Sequence, residues 1–386
     1  MKYVDLGKIQ PKITRKKASS KHKAVKVLIW TLILVLVGYV IFSVKPIVEK
    51  GIKSFWQGPA TVLSFLRNNT NKLDQDEGRT NFLLLGIDKR SEIPYSYKGE
   101  NGQVEKNGFL SDTIIVGSFR HSDASLVLFS VPRDLWVEIP AFGGVSKRYA
   151  KINAAYSIGD TEDYPGGGLG LSRNVCESIL DIPIHYTFRI DFEGFRKAVD
   201  LIGGIDVNVE NAFDDYMYPR EGYENAPNQA DRYLHVHFEA GTQHLDGTKA
   251  LEYVRSRYAL GVEGSDFARA KRQQKVILAA RDKALSLSWM DSPNQIKEAF
   301  TTFGEMVQTD APLSDFPLFL SLVKKLDLTQ VKTYILGSLS QTEDNELLYN
   351  PPLEQFGGAW VLIPKKGDWS EIQSFVRGAL FATETE

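Results

Sequence analysis

Cysteine is nearly absent from this sequence. Cys176 is the one cysteine among 386 residues, which excludes an internal disulfide framework and a cysteine metal cluster. Because Cys176 stands in an apolar helical pattern, we predict a buried structural thiol.

The short motifs of common hydrolases and nucleotide-binding proteins are also missing. The sequence has no G-x-S-x-G motif and no recognisable hydrolase triad. The glycine-rich run at residues 166–170 has neither the preceding strand nor the Lys-Ser/Thr ending of a phosphate loop, so we interpret it as a turn before a helix. Four histidines have no other potential metal ligands at a suitable spacing in the sequence, and the alternating pair among them is interpreted as structural. They are His185, His244 and the pair His235 and His237.

Positive charge is scarce outside the N-terminus. Residues 1–26 hold nine Lys or Arg and a single acid, Asp5, whereas the whole chain has a net charge of −2, which leaves −10 for the rest. An acidic body is not a general binder of polyanions, so nucleic acid is not an expected partner.

One long apolar run, VLIWTLILVLVGYVIFSV, covers residues 27–44 without a charge. A helix of this length spans roughly 27 Å, close to the hydrocarbon thickness of a bilayer. A buried core helix is the alternative, but the basic flank predicts a membrane anchor with a cytoplasmic N-terminus. We therefore expect a basic cytoplasmic tail (1–26), a transmembrane helix (27–44), a juxtamembrane connector (45–80) and an extracytoplasmic domain (81–386) with a C-terminal helical extension.

Strand-like and helix-like patterns alternate after residue 81. Apolar runs at 81–87, 111–119, 124–139, 184–190 and 328–337 are typical of strands, and helical patterns cover 171–180, 192–203 and much of the chain after 281. This alternation predicts an α/β fold, a three-layer α-β-α sandwich with a mixed central sheet. The polar stretches 91–108 and 214–232 are predicted to be surface loops.

Two arginines stand two residues apart in the segment YVRSRY. If this segment is a strand, Arg255 and Arg257 point to the same face. Planar guanidinium groups match phosphate oxygens two at a time, so the pair could hold a phosphorylated ligand. A solvated strand edge is the alternative.

A helix is predicted to follow, with Asp266 as its N-cap residue. Arg269 and Gln273 fall close to one face of that helix, with Arg272 nearby. The opposite, buried stripe is predicted to contain Phe267, Ala270 and Ile277. A solvated helix face would carry the same charges.

Acidic and further basic side chains stand at the ends of predicted strands. Asp88 ends the first strand and Asp112 begins the second, so antiparallel pairing would place both carboxylates at one rim of the sheet. Carboxylate pairs near phosphates suit Mg²⁺ or Mn²⁺, although loop and cap aspartates are common. Arg133 follows at the exit of the third predicted strand, and Lys151 and Asn153 come just before an apolar turn. Together the set is typical of a pyrophosphate and metal site.

Seven segments, in this order, resemble the LytR-CpsA-Psr family of cell-wall glycopolymer ligases. They are LLLGIDKR, SDTIIV, SVPRDLWVEIP, KINAAYSIG, DFEGFRKAVDLIGGIDVNV, GTQHLDGTKALEYVRSRY and DFARAKRQQ, and they cover residues 81–280. The resemblance implies a transferase at the bilayer that moves a polyprenyl-pyrophosphate-linked glycan onto a peptidoglycan hydroxyl and forms a phosphodiester. Two alternatives remain open: a pyrophosphatase of the same lipid, and a non-catalytic lipid-binding or regulatory protein.

The same resemblance implies roles for matching residues. Asp88 and Asp112 are expected at a divalent metal. The pyrophosphate is expected to contact Arg133, Arg255, Arg257, Arg269 and Gln273, together with Lys151, Asn153 and Arg272. Asp266 is expected to orient arginines or to contact the phosphate network. Leu110 stands where many members have a basic residue.

The prenyl chain requires an apolar groove between the sheet and the helices. We expect it along Phe192, Phe195, Val199 and Ile202, although each of these residues alone would also suit core packing.

Overall fold

The computed structural model describes residues 72–87, 96–98, 104–106, 109–223, 226–286, 304, 307–312, 315–337 and 347–381. The predicted tail, membrane anchor and most of the connector lie outside these ranges, as do Asp88 and most of the 91–108 loop. Within these ranges, no helix combines the length and apolar character needed to cross a bilayer.

Short strands and helices alternate through the described residues. The strands are β1 (Arg79–Ile87), β2 (Ser96–Lys98), β3 (Val104–Lys106), β4 (Ser111–Arg120), β5 (Leu126–Ser130), β6 (Trp136–Ile139), β7 (Arg148–Lys151), β8 (Tyr186–Asp191), β9 (Ile205–Val209), β10 (Phe213–Pro219), β11 (Tyr233–Phe238), β12 (Gly241–Leu245), β13 (Val307–Thr309), β14 (Val331–Ile335), β15 (Leu348–Tyr349) and β16 (Ile363–Pro364). The helices are α1 (Ala155–Thr161), α2 (Gly167–Leu180), α3 (Phe192–Leu201), α4 (Gly247–Arg255), α5 (Asp266–Ser286), α6 (Phe316–Lys325) and α7 (Ser370–Phe381).

The central sheet has six strands in the order β13-β8-β1-β4-β5-β14. Strand β1 runs antiparallel to β4 and parallel to β8, and β5 runs antiparallel to β4 and parallel to β14. The sheet is therefore mixed, as the sequence predicts. The predicted third strand is divided into β5 and β6, because Pro132 cannot donate to a sheet ladder and the chain turns there.

Alternate residues of β1 face opposite sides of the sheet. Leu83, Leu85 and Ile87 are fully buried and pack with residues of α2 and α7. Phe82 and Leu84 are partly buried and face α5 and α6 on the other side. This period of two follows from the pleat of a strand.

A second apolar cluster joins α3, α4 and α5 to the small sheets β9–β12 and β10–β11. Here the prediction of a surface loop at 214–232 is wrong in part, because β10 pairs antiparallel with β11. Phe213 and Tyr218 of β10 are buried in this cluster. The abundance of Tyr, Pro and charge hid a short strand whose inward residues are few.

Cys176 is buried in α2 and unpaired by any disulfide, as predicted. Burial raises the pKa of its thiol to about 12, so the thiol stays protonated and inert near neutral pH.

Gly117 of β4 lies opposite Phe82 of β1, and a Cβ at Gly117 would lie 2.2 Å from the Phe82 ring. We expect Gly117→Ala to lower the free energy of unfolding by about 1–3 kcal/mol, because the ring has to move within a packed sheet. Gly378→Ala is the matched control. Gly378 is exposed in α7 with no atom near the added Cβ, so a gain of about 0.5–1 kcal/mol is expected. Urea unfolding of both variants measures the difference, and equal effects would contradict this packing.

Candidate active site

Asp112 occupies a β-bulge where β1 ends and β4 begins, in the middle of the central sheet. Gly86 pairs with Thr113 and Ile87 pairs with Ser111, so Asp112 is the extra residue of β4. A bulge turns a side chain out of the regular alternation and is frequent beside active sites. Gly86 permits the close approach, since a Cβ there would lie 2.9 Å from the Cβ of Thr113.

Arg133 contacts Asp112 from the turn between β5 and β6. Its Nη1 donates to Asp112 Oδ1 at 2.6 Å, and its Nε lies 3.5 Å from Asp134 Oδ2. The Nζ of Lys151 donates to the other oxygen of Asp134 at 2.7 Å. The backbone N–H of buried Asn153 donates to the carbonyl of Arg133 at 3.2 Å. One connected network of charges therefore forms this wall of the site.

Arg255 is the last residue of α4, so the prediction of a strand for YVRSRY is wrong. The Nη1 of Arg255 donates to Tyr218 Oη and to Glu221 Oε1, both at 3.0 Å. Its guanidinium also lies 3.9 Å from the centre of the Phe192 ring. Burial raises the pKa of Tyr218 to about 12, so Tyr218 remains a neutral acceptor for this bond.

Arg257 follows the helix end in an extended loop that β10 holds in place. The buried carboxylate of Asp215 accepts the backbone N–H groups of Arg257 at 3.0 Å, Tyr258 at 3.2 Å and Met217 at 2.9 Å. The carbonyl of Asp214 accepts the N–H of Leu260 at 3.0 Å. Arg255 and Arg257 thus reach one site from a helix end and a clamped loop, and no shared strand face is involved.

Helix α5 presents Arg269 and Gln273 to the site, as the predicted spacing requires. The predicted buried stripe is wrong in part, because Ile277 is partly buried against an apolar cluster of the sheet but Phe267 is not buried. Ala268 and Val276 are buried, whereas Phe267 is 37% exposed. The side chain of Asp266 lies outside the described residues, so its predicted role as an orienting group stays a prediction.

Arg272 does not line the site, contrary to prediction. It is 2% exposed and donates to the carbonyl oxygens of Tyr253, Ser256 and Glu263. It also pairs with the Glu263 carboxylate at 2.8 Å and lies over the ring of Phe213, and its burial lowers the pKa of the guanidinium. Arg272 therefore joins α5 to the end of α4, and spacing on a helix wheel could not separate it from Arg269.

Eight of the predicted site residues line one cavity of about 1330 Å³, and we call the part that they line its mouth. Those in its lining are Asp112, Arg133, Lys151, Asn153, Arg255, Arg257, Arg269 and Gln273. Beyond the mouth the lining is mainly apolar and includes all four residues of the predicted groove, Phe192, Phe195, Val199 and Ile202. The volume exceeds the range of roughly 300–1,000 Å³ that is usual for small-ligand pockets, so the cavity suits a long ligand.

Sequence reasoning missed several lining residues. Arg189 of β8 lies at the mouth, and its Nη2 is 3.4 Å from Asp191 Oδ2. A single cation in the strand-like run IHYTFRI was a signal for it. Helix α6 contributes Phe316, Phe319, Leu320, Leu322 and Val323 to the apolar lining. The sequence gives no sign that these residues line a cavity, because apolar residues at helical spacing look the same in a solid core.

Two aspartates at the mouth have the donor chemistry that a hard divalent cation takes. Asp112 and Asp134 supply carboxylates there, and Mg²⁺ needs only one or two carboxylates when phosphate and water complete its shell. Among the described side chains no group of three or more His, Cys, Asp or Glu could hold a metal by itself. The second predicted ligand, Asp88, lies outside the described residues.

An α/β fold with a cationic mouth on a long apolar cavity defines a protein that can bind a phosphorylated lipid. Residues 60–359 match the LytR_cpsA_psr family. The chain belongs to this family.

Named relatives agree with this assignment. The polyisoprenyl-teichoic acid–peptidoglycan teichoic acid transferase TagU of Oceanobacillus iheyensis is 31% identical over 251 residues, which cover 65% of each chain. The corresponding transferase TagT of Bacillus subtilis is 30% identical over 265 residues, covering 67% of this chain and 70% of TagT. The match therefore covers somewhat less than two thirds of the length of TagU and slightly more than two thirds of the length of TagT.

Solved structures share the fold. The crystal structure of B. subtilis TagV superposes with a TM-score of 0.53 at 24% identity, covering 79% of this chain and 98% of TagV. A structure of TagT bound to LIIa-WTA gives a TM-score of 0.52 at 24% identity, covering 81% and 94%.

We expect Arg272→Met to lower the free energy of unfolding by about 3–5 kcal/mol, because Glu263 and three carbonyl groups lose a buried partner. Lys271→Met, on the exposed neighbouring position of α5, is the matched control and should change stability by less than about 0.5 kcal/mol. Urea titration followed by circular dichroism gives both values. A small change in the free energy of unfolding together with loss of ligand binding would show that Arg272 is a site residue after all.

Proposed function

We propose that this protein is a membrane-anchored phosphotransferase. It moves a polyprenyl-pyrophosphate-linked glycopolymer onto a hydroxyl of peptidoglycan and forms a phosphodiester. The observation that carries this proposal is that one cavity is lined both by a cluster of guanidinium groups and by a large set of apolar side chains. A pyrophosphate bound to an isoprenoid chain has this division of polar and apolar character.

The names of the relatives support the same chemistry. TagU and TagT are named as transferases of polyisoprenyl-linked teichoic acid to peptidoglycan. The shared family and the cationic side chains that line the cavity make glycopolymer transfer the reaction that we assign to this chain.

A donor lipid of this kind is embedded in a bilayer, which is consistent with the uncharged run at 27–44. We propose that this run is a single transmembrane helix, that the N-terminus is cytoplasmic and that the catalytic domain is extracytoplasmic. Helices on both faces of the sheet support a three-layer α-β-α description of that domain.

The arginines bind the two phosphates and hold them in place. Arg133 and Arg255 are fixed before the donor arrives, by Asp112 in one case and by Tyr218 and Glu221 in the other. Hydrogen-bond donors that need no rearrangement during the reaction stabilise developing charge most effectively. Their side chains are only 15% and 11% exposed, so water screens them weakly.

The transfer exchanges one P–O bond for another. An acceptor hydroxyl attacks the phosphorus next to the sugar, and its proton passes to a base or to solvent. The bond from that phosphorus to the bridging oxygen breaks, and polyprenyl phosphate leaves with the electron pair. Positioning and charge neutralisation supply most of the acceleration in phosphoryl transfer.

We propose that Asp112, together with Asp88, holds Mg²⁺ or Mn²⁺ at the mouth. When bound, the cation neutralises charge on the phosphate oxygens. Asp112 would then serve both the cation and Arg133, and its place on the bulge allows both contacts.

Arg255→Ala should lower transfer from a labelled lipid-linked glycan to purified peptidoglycan by about 100-fold or more, because one preorganised donor to the phosphates is lost. The matched control is Arg148→Ala. Arg148 is an arginine outside the cavity that pairs with Glu162. Product analysis by mass spectrometry distinguishes a wall-linked phosphodiester from free glycan phosphate. Unchanged transfer by a folded Arg255→Ala protein would remove Arg255 from the site.

Helix α5 runs along the cavity, since both Arg269 and Ala284 line it. Ala284 lies 15 positions after Arg269, which corresponds to about 22 Å of helix. Ala284→Phe should therefore obstruct the far end and lower transfer from a long-chain donor several-fold more than transfer from a short-chain analogue. Activity with the short chain is the internal control for folding. Equal losses with both donors would show that the prenyl chain lies elsewhere.

A further inference from the structure

A second cavity adjoins the mouth of the first. Its volume is about 260 Å³, and the two cavities share Asp112, Thr113, Arg133, Asp134, Arg269 and Gln273. The rest of the second lining comes from the ends of β4, β5 and β14, from the start of α5 and from the segment around β15 and β16. The two cavities therefore meet at the phosphate-binding side chains and extend from them between different elements.

Three aromatic rings line this second cavity and remain accessible to solvent. Phe267 is 37% exposed, Tyr349 is 40% exposed and Trp360 is 46% exposed. The side chain of Asn350 lies in the same lining. Large aromatic side chains normally bury most of their area, so three exposed rings around one cavity are an unusual feature, and we call them the aromatic surface.

The C-terminal residues of this surface are held rigidly against the site. The N–H of Leu362 donates to the carbonyl of Asp134 at 2.9 Å, and the N–H of Trp136 donates to the carbonyl of Leu362 at 2.9 Å. The Nδ2 of Asn350 donates to the carbonyl of Val361 at 2.7 Å. The surface is therefore fixed to the turn that carries Arg133.

The mixed lining matches a sugar ring. A pyranose has C–H groups on its faces, which pack on aromatic rings, and hydroxyls on its edge, which bond to amide, carboxylate and guanidinium groups. The cavity is smaller than the roughly 300–1,000 Å³ of drug-sized pockets. It therefore suits one ring of a saccharide, and it is too small and polar at its base for a prenyl chain.

We infer that this second cavity binds a sugar ring of the peptidoglycan acceptor. The inference rests on the proposed function and adds where the acceptor lies. In phosphoryl transfer the attacking and leaving oxygens are roughly in line through phosphorus. Because polyprenyl phosphate leaves into the apolar cavity, the acceptor hydroxyl has to reach the phosphorus from outside that cavity. The second cavity meets the same arginines, Arg133 and Arg269, between other elements.

The test separates binding from turnover. Soluble peptidoglycan fragments without stem peptides are titrated into the wild-type protein, into Trp360→Ala and into the control Leu353→Ala, and binding is followed by saturation-transfer NMR. Leu353 is 41% exposed on the same segment but does not line the cavity. We expect Trp360→Ala and Tyr349→Ala each to weaken binding about tenfold, as for loss of one aromatic contact, and Leu353→Ala to leave it unchanged.

Kinetics then identify which sugar is bound. The aromatic variants should raise the KM for the acceptor about tenfold, with the KM for the lipid-linked donor unchanged. A raised KM for the donor alone would assign the cavity to the donor glycan and overturn the inference, as would unchanged fragment binding. If wild-type protein binds the fragments in this cavity but catalyses no transfer, the proposed function fails while the saccharide site stands.

Discussion

The antiparallel pairing of β1 with β4 is the constraint on which the site depends. Continuous backbone hydrogen bonding brings the end of β1 to the start of β4, and the register shift there makes Asp112 the extra residue. A bulge at a buried strand pair cannot slide without moving every side chain of the strand to the wrong face. The hydrophobic alternation of β1 therefore fixes the position of Asp112, and Asp112 fixes Arg133.

Buried charge is used in two different ways. Arg272 has carbonyl and carboxylate partners around most of its donors and joins two helices, so its charge serves the fold. Arg133 and Arg255 each have acidic partners as well, yet both line an open cavity where a phosphate can reach them. Acidic partners lower the cost of keeping a guanidinium half-buried. They also make the site less positive, so a cation beside Asp112 would strengthen the affinity of the site for pyrophosphate.

The long cavity exists because one face of the sheet is not filled. On the side of α2 and α7, Leu83, Leu85 and Ile87 are buried in a close-packed core. On the other side, α5 and α6 stand over Phe82 and Leu84 and leave a channel between them. Close packing is the default for a protein interior, so an apolar channel of this length indicates a long apolar ligand.

Sequence alone determined much of this protein. The strand pattern gave the mixed sheet, and the ordered motifs gave the family and placed Asp112, Arg133, Arg255, Arg257, Arg269 and Gln273 among the site residues. Local periodicity could not show that Arg255 ends a helix, that β10 is a strand, or that Arg272 points into the core beside Arg269. Those features depend on contacts between residues far apart in the chain, such as Arg257 with Asp215 and Trp136 with Leu362. Only the tertiary structure decides them, because burial and hydrogen-bond partners are properties of the packed molecule and not of the spacing between residues.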